Sequence, residues 1–513
     1  MNRFLSPAIA LMLAAASAVT PANADRLVIM HTNDTHSHID PESGGVGGIL
    51  QRKAAIDSIR LAEPNTLLID AGDFVQGSLY FYLYGGKVEQ QLMNDLGYDI
   101  RILGNHEFDI TADSIAKVLN GSKAELLATN YDLSRSALDG MFKPVTIKEF
   151  DGKRIGFFAI NLDPEGMIAP GKADGVKYLD GIQAANAAAW WLRNIKHCDM
   201  VVAVTHIGYN TAGADLTDMT LAGNSRNIDL IIGGHSHDVV QPGMDDKQFK
   251  VRDLDGKDVV IVQTGKYGRA LGKIDIDLDS LSISPSLVTI DSRFDNRTDK
   301  ALAQWLQPYR QGLDSLYRQK VFAAPEEMPQ DSRKLKNFLS DFMFDRAEES
   351  VGGIDLAIMN DGGIRRGLPA GNVGKGYILE MLPFGNSTVV LDIKGSDLAD
   401  AFDVMAQGRV TAVSRQADVE YIPAVKSENG NTPGKITSIK INGKPIDPDR
   451  TYRIATIDYL ADGGDYMTPL LRGTRIAKVG TDLAEDIADY YMHGKGRGKK
   501  IKLDDTGRFR PKS

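Results

Sequence analysis

Nine histidines occur in the chain, and eight of them (His31, His36, His38, His106, His197, His206, His235 and His237) stand before residue 240, with His493 alone beyond. Imidazole is both the commonest metal ligand and the side chain that titrates near neutrality, so metal or proton chemistry is expected in the first half. Asp34 and His36 lie two residues apart, a spacing that lets both side chains of a tight turn point at one ion. Asp73, Asn105, His206, His235 and His237 add a carboxylate, an amide oxygen and three imidazoles. This mixture of oxygen and nitrogen donors suits zinc, manganese or cobalt better than an all-oxygen calcium cage or a thiolate zinc site. Seven donors exceed the needs of one tetrahedral ion. Two neighbouring ions require a bridging ligand, and a carboxylate such as Asp73 has two oxygens with which to bridge.

Each donor cluster follows a short apolar run. The runs 27–30, 66–69, 100–103, 200–204, 230–232 and 259–262 end in polar, glycine-containing clusters such as Asp70-Ala-Gly-Asp73, Gly104-Asn-His-Glu107 and Gly233-Gly-His-Ser-His237. Runs of this length, rich in Val and Ile and bounded by turn residues, read as buried strands. Ligands in α/β sheets bind outside the carboxyl ends of strands, which is where these clusters fall. Segments 49–61 and 181–195 read as intervening helices. His31, His38 and His197 lie outside the clusters and read as packing or hydrogen-bonding residues.

The 513 residues exceed one small domain, and 42% hydrophobic with 25% charged residues is an ordinary globular balance that excludes collagen-like, coiled-coil or wholly disordered chains. Arg3, the apolar stretch 5–19 and Ala22-Asn23-Ala24 read as a cleaved signal peptide over 1–24, hence an exported, periplasmic protein. No other run reaches the ~18 apolar residues of a membrane span, so no membrane anchor is expected. The single cysteine, Cys198, excludes an intramolecular disulfide. A net charge of −9 argues against nucleic-acid binding. The basic run from Lys495 to Lys512 reads as a solvated tail.

Residues 296–320 read as one polar-faced helix, and the Pro-containing stretch 323–329 ends it, which marks the best domain boundary. Beyond it stand different clusters: Asn360-Asp-Gly-Gly-Ile-Arg365, Leu382-Pro-Phe-Gly-Asn386 and Tyr459-Leu-Ala-Asp-Gly-Gly-Asp465.

The first-half order Asp-x-His, Gly-Asp, Gly-Asn-His-Glu, a later His and Gly-His-x-His resembles the calcineurin-like metallophosphoesterases. With the second-half clusters the whole mature chain resembles the bacterial exported 5′-nucleotidase and UDP-sugar hydrolase family. The resemblance implies an α/β four-layer sandwich metallophosphoesterase domain (25–295), a linker helix (296–325) and an α+β nucleotide-binding domain (326–513). It implies one metal held by Asp34, His36, Asp73 and His237, and a second by Asp73, Asn105, His206 and His235. His106, oriented by Asp109, would stabilise developing charge or the leaving oxygen; Asp109 reads alternatively as an N-cap for 110–119. Phe384 and Tyr459 would stack a nucleobase, Asp465 would take the ribose hydroxyls, Arg333 and Arg365 would meet phosphate, and Asn360 and Asn386 would add polar contacts. Taken alone, Phe384 also reads as a core residue at a turn. The implied activity is hydrolysis of nucleoside monophosphates for nucleotide salvage by a monomer whose second domain rotates on the linker. UDP-sugars, dinucleotides and 2′,3′-cyclic nucleotides are alternative substrates, and a silent nucleotide binder is the alternative class. Two departures stand out: Tyr466 follows Gly-Gly-Asp where the family commonly has Gly, and 331–345 matches its counterpart poorly.

Overall fold

The computed structural model describes residues 25–512 apart from 43, 212–213, 245–246 and 428–429. The signal peptide read over 1–24 lies outside the described residues. In the strand Arg26–Thr32, Leu27 and Ile29 face one way and Val28 and Met30 the other, and all four are fully buried. Burial on both faces requires a covering layer on each side. The first sheet has six strands in the order Ile283–Thr289, Ala270–Asp277, Arg26–Thr32, Thr66–Asp70, Ile100–Ile102, Glu125–Leu127, the last four parallel and the first two added antiparallel. The second runs Val239–Val240, Asp258–Thr264, Leu230–Ile232, Met200–His206, Lys153–Asn161, Val145–Phe150, with Lys250–Arg252 also paired to Asp258–Thr264.

Leu27, Ile29, Ile69 and Ile102 meet Phe157, Val202, Val204, Ile232 and Val262 between the two sheets. Outside the first sheet, helices Ile49–Ala62 and Lys87–Leu96 pack Ile56, Leu92 and Leu96 on Val28, Met30 and Leu68. Outside the second, helix Gly181–Trp190 lays Ala185 and Ala189 on Phe158, Val201 and Ala203. The result is the expected four-layer sandwich.

The helix read over 296–320 occurs as a 3-10 segment, Ser292–Arg297, followed by a helix Lys300–Arg318. The break is set by Asp299, whose carboxylate accepts from the N–H groups of Ala301 and Leu302 and so caps the helix after it. Leu302, Leu306 and Leu313 are buried, and Arg310 donates twice to Asp40 of the first half, at 2.8 and 2.6 Å. Beyond the strand Lys320–Ala324, a five-stranded sheet orders Ala412–Val413, Leu356–Met359, Thr451–Ile457, Thr388–Lys394, Thr474–Val479. Helix Arg333–Ser350 packs against it.

The chain end is not a free tail. The strand Phe509–Pro511 pairs in parallel with Ala417–Ile422. Arg508 is buried, bidentate to Asp341 at 2.8 Å and bonded to Asp504 at 2.7 Å. Arg508 and Arg510 thus serve acidic partners of the fold, whereas Arg497, Lys499, Lys500 and Lys502 are exposed, as the solvated-tail reading expects.

Candidate active site

Five of the seven proposed donors, Asp34, His36, Asp73, His235 and His237, sit on left-handed backbone with φ between 47° and 78°. Asp and His tolerate this region better than most residues, yet each such position costs of order 1–3 kcal/mol and survives only where its surroundings impose it. The imposition is visible. Asp34 N–H donates to Gly72 O, and His36 N–H to Asp73 O, so the turns after the first two strands are laced together. Buried Glu107 accepts from the N–H groups of Asp73 at 3.1 Å, Phe74 at 2.9 Å and Gly104, which ties in the third turn. A Cβ at Gly104 would fall on Asp73 Oδ1, so only glycine lets these turns approach.

The side chains then converge from five strand ends. His36 Nε2 is 3.0 Å from His237 Nε2, His237 Nε2 is 3.4 Å from Asp34 Oδ1, His206 Nε2 is 3.1 Å from Asp73 Oδ2, and His235 Nδ1 is 2.9 Å from Asn105 Oδ1. Asp73 Oδ2 also lies 3.8 Å from His36 Nε2, so this carboxylate faces both groups. Ligand atoms held ~2.0–2.2 Å from one ion lie ~2.8–3.6 Å from one another, a range that holds the four shorter separations here. His206 Nδ1 donates to Ala71 O at 2.7 Å. A carbonyl only accepts, so Nδ1 carries the proton given to it, and Nε2 is the nitrogen turned to the cluster, buried beside Asp73. Asn33 bonds Asp34 Oδ2 at 2.6 Å and Gly265 O at 2.8 Å and so orients the carboxylate. The donor set fits divalent ions. Burial alone would raise the Asp34 and Asp73 carboxyls, but the imidazoles around them, His237 and His206 foremost, hold both below the ordinary carboxylate range.

His106 Nδ1 donates to Asp109 Oδ2 at 2.7 Å, and its backbone N–H donates to Asp73 Oδ1 at 2.9 Å. Burial lowers the imidazole pKa, but Asp109 and Asp73 outweigh it and the net shift is upward. Asp109 caps nothing: the helix Ala112–Leu119 is capped by Thr111, whose hydroxyl accepts from Ser114 N–H. The orienting reading of Asp109 is therefore the one the geometry supports.

One cavity of about 450 Å³ is lined by Asp73, Asn105, His106, His235 and His237 from the first half and by Asn360, Arg365, Phe384, Asn386, Tyr459 and Asp465 from the second. The Phe384 ring lies over His106 with centroids 5.5 Å apart, and the Arg365 guanidinium lies 5.7 Å from the Phe384 centroid. Phe384 is therefore a cavity wall rather than a core residue. Arg365 Nε and Nη2 and Asn360 Oδ1 are buried without partners, donors and an acceptor available to a ligand. Asn360 Nδ2 donates to Asp465 Oδ2 at 2.6 Å, and Asp465 N–H donates to Tyr459 OH at 3.2 Å. A Cβ at Gly464 would lie 2.5 Å from the Tyr459 ring, so this glycine lets the backbone lie against that ring.

Arg333 is a correction. It opens the helix Arg333–Ser350 as an exposed residue beside Gly507 and does not line the cavity. The second guanidinium on the cavity wall is Arg409, which sequence reasoning missed because it stands alone in a turn with no motif around it. Glu107 and Asn33 stand within or beside the motifs, but their orienting work shows only in three dimensions. His31 is buried on its strand against Gly272, and its imidazole is pushed down to about 3 by burial. His38 stacks on Tyr267 at 3.7 Å. His197 occupies a left-handed turn position before Cys198.

Residues 27–239 match the calcineurin-like phosphoesterase family, and residues 318–472 match the 5′-nucleotidase C-terminal domain. The chain is 28% identical over 493 residues to the trifunctional nucleotide phosphoesterase protein YfkN of Bacillus subtilis (strain 168), covering 86% of this chain and 32% of that protein's length. It therefore spans about a third of that relative. It is 26% identical over 532 residues to the apyrase of Tabanus yao, covering 94% of this chain and 93% of the apyrase. The crystal structure of a 5′-nucleotidase precursor from Thermus thermophilus superposes with a TM-score of 0.79 at 28% identity over 95% of this chain and 99% of that one. The chain belongs to the 5′-nucleotidase family of hydrolases, in which a calcineurin-like metallophosphoesterase domain is joined to a 5′-nucleotidase C-terminal domain.

Proposed function

We propose that the protein is a periplasmic two-metal phosphohydrolase that converts nucleoside 5′-monophosphates to nucleoside and phosphate, supplying nucleosides for salvage. The observation that carries this reading is that four of the seven donors, Asp73, Asn105, His235 and His237, line one cavity together with residues of the second half. Asp34, His36, Asp73 and His237 would hold one ion, and Asp73, Asn105, His206 and His235 the other, with Zn, Mn or Co the suitable metals. Such ions, when bound, supply Lewis acidity toward phosphoryl oxygens and make water nucleophilic near neutral pH.

The chain's own groups do the rest. Phe384 and Tyr459 take the base, Asp465 with Asn360 takes the ribose hydroxyls, Asn386 adds a polar contact, and Arg365 pairs with the phosphoryl oxygens as guanidinium does best. His106, with Nδ1–H given to Asp109, stabilises the charge that builds on phosphate and passes a proton from Nε2 to the departing ribose oxygen. The working units are a monomer's metal-holding domain at 25–295, a linker at 296–325 and a substrate domain at 326–513, the last turning on the linker to load and release. The relative named trifunctional supports a broader second reading, in which UDP-sugars or 2′,3′-cyclic nucleotides also enter.

The test is phosphate release from AMP, UMP, UDP-glucose, NAD, 2′,3′-cyclic AMP and bis-p-nitrophenyl phosphate with manganese, zinc or cobalt. The expected outcome is metal-dependent release, greatest with a monophosphate, abolished by chelation and lowered at least ~10³-fold in Asp73→Ala, a loss comparable to other single catalytic-site deletions. No metal-dependent release from any member overturns the proposal.

A further inference from the structure

His235 and His237 stand on either side of Ser236, and both hold left-handed backbone, with φ of 78° and 59°. Such conformations persist only where the surroundings impose them. From the donor side the turn is held by Asp34, which accepts the His235 N–H at 3.0 Å. From beneath it is held by a buried pair that belongs to none of the donor motifs: Asp218, the first residue of helix Asp218–Gly223, and Gln263 of the strand Asp258–Thr264.

The turn leaves the strand Leu230–Ile232, which lies between Met200–His206 and Asp258–Thr264. Asp218 spans the two outer strands of this trio: Oδ1 accepts from the Thr205 hydroxyl at 2.6 Å, and Oδ2 from Gln263 Nε2 at 2.8 Å. The carboxylate therefore passes beneath Gly233, where a Cβ would fall on Oδ2. Gln263 carries the hold into the turn. Its Nε2 also donates to Gly234 O at 3.2 Å, and its Oε1 accepts from the Ser236 hydroxyl at 3.3 Å. Ser236 Oγ accepts the Tyr209 N–H at 3.0 Å, and Gly234 O accepts the Gly208 N–H at 3.0 Å.

Asp218 and Gln263 are both fully buried, and among the described residues no cation lies within ion-pair distance of Asp218. A carboxylate buried on neutral donors is costly, so fold stability does not explain it. What it secures is orientation. A glutamine amide has a donor end and an acceptor end. Asp218 Oδ2 and Gly234 O together take the donor end, which leaves the acceptor end for Ser236, the residue between the two histidines.

We propose that Asp218 and Gln263 are positioning residues for the metal centre, fixing the turn 233–237 so that its two imidazoles reach two different ions. The inference rests on the two-metal reading above, in which His237 serves one ion and His235 the other. Because one turn carries both imidazoles, releasing it loosens both ions together.

The test is titration of manganese, and of cobalt followed by its visible absorption, into the full-length mature protein after chelation. Wild type, Gln263→Met, Asp218→Asn and Ser236→Ala are compared at a temperature where thermal melts show each to be folded. Gln263→Met keeps the side chain's length without its hydrogen bonds, and Asp218→Asn can offer its one oxygen to Thr205 or to Gln263 but not to both. Each is expected to weaken both ions at least ~10-fold and to alter the cobalt spectrum. Ser236→Ala takes one bond from the turn and leaves the interior packed; it shifts both affinities in the same direction and carries the test where a buried variant does not fold. A lowered melting temperature with unchanged affinities and spectrum overturns the proposal, and so does weakening confined to one ion; either result leaves the two-metal reading intact. A wild type that binds no metal overturns that reading and the inference with it.

Discussion

At the scale of single residues, the chain concentrates ionisable groups in places where burial alone would make them unfavourable, and at the donor cluster the carboxylates of Asp34 and Asp73 are offset by the imidazoles beside them. Glu89 is an exception. It is buried in the first turn of helix Lys87–Leu96, with Oε1 accepting from the Ser37 hydroxyl and Oε2 without a partner. Burial pushes its carboxyl from 4.5 to about 7. A raised carboxyl stays protonated in the folded state while the unfolded chain ionises. Stability is therefore full below about 4.5 and declines as pH rises to about 7, by on the order of 3 kcal/mol. Chemical denaturation of Glu89→Gln across pH 4 to 8 should show that decline reduced, and a slope identical to wild type would contradict the assignment. Residue chemistry was legible in the sequence wherever the residue was itself a donor in a motif. It was illegible for Glu107 and Asn33, because their roles depend on backbone groups far away in the chain.

At the scale of elements, the donor cluster is made by strand ends brought side by side, and the turns after them carry the precision. Gly104 is the closest fit of these turns against Asp73. Gly104→Ala should displace the Asp73 carboxylate and weaken metal binding at least ~10-fold, in line with losses seen when residues supporting metal ligands are changed. Bound metal per chain after dialysis against limiting manganese measures this, and wild-type occupancy would refute it. Among the parallel strands, Arg26–Thr32, Thr66–Asp70, Met200–His206, Leu230–Ile232 and Asp258–Thr264 were readable because each carries an uninterrupted apolar run, as burial on both faces demands. The strand Lys153–Asn161 was not singled out. It opens with two basic residues and contains Gly156, where a Cβ would crowd Leu192 and Cys198. The last strand was hidden by its charges: Arg510 faces Asp418 and Glu420 of the neighbouring strand, a pairing that composition of the tail alone does not disclose.

At the scale of the whole molecule, the two halves are joined by more than a tether. Helix Lys300–Arg318 buries its leucines in a core shared by both halves. Phe384 of the second half lies over His106 of the first, and Tyr82 OH bonds Glu485 across the same boundary at 2.8 Å. Two domains were legible from the change in residue clusters near 320, but their meeting in one cavity was not, since it depends on packing between segments far apart in the chain. That meeting is the centre of the proposed function: the rings that would take a base and the groups that would hold metal line one cavity. The direct test is kcat/KM for AMP relative to p-nitrophenyl phosphate, which has no nucleoside, in wild type and Phe384→Ala. Base stacking worth ~1–3 kcal/mol predicts that this ratio falls ~5–150-fold in the variant. A ratio unchanged from wild type would contradict the account.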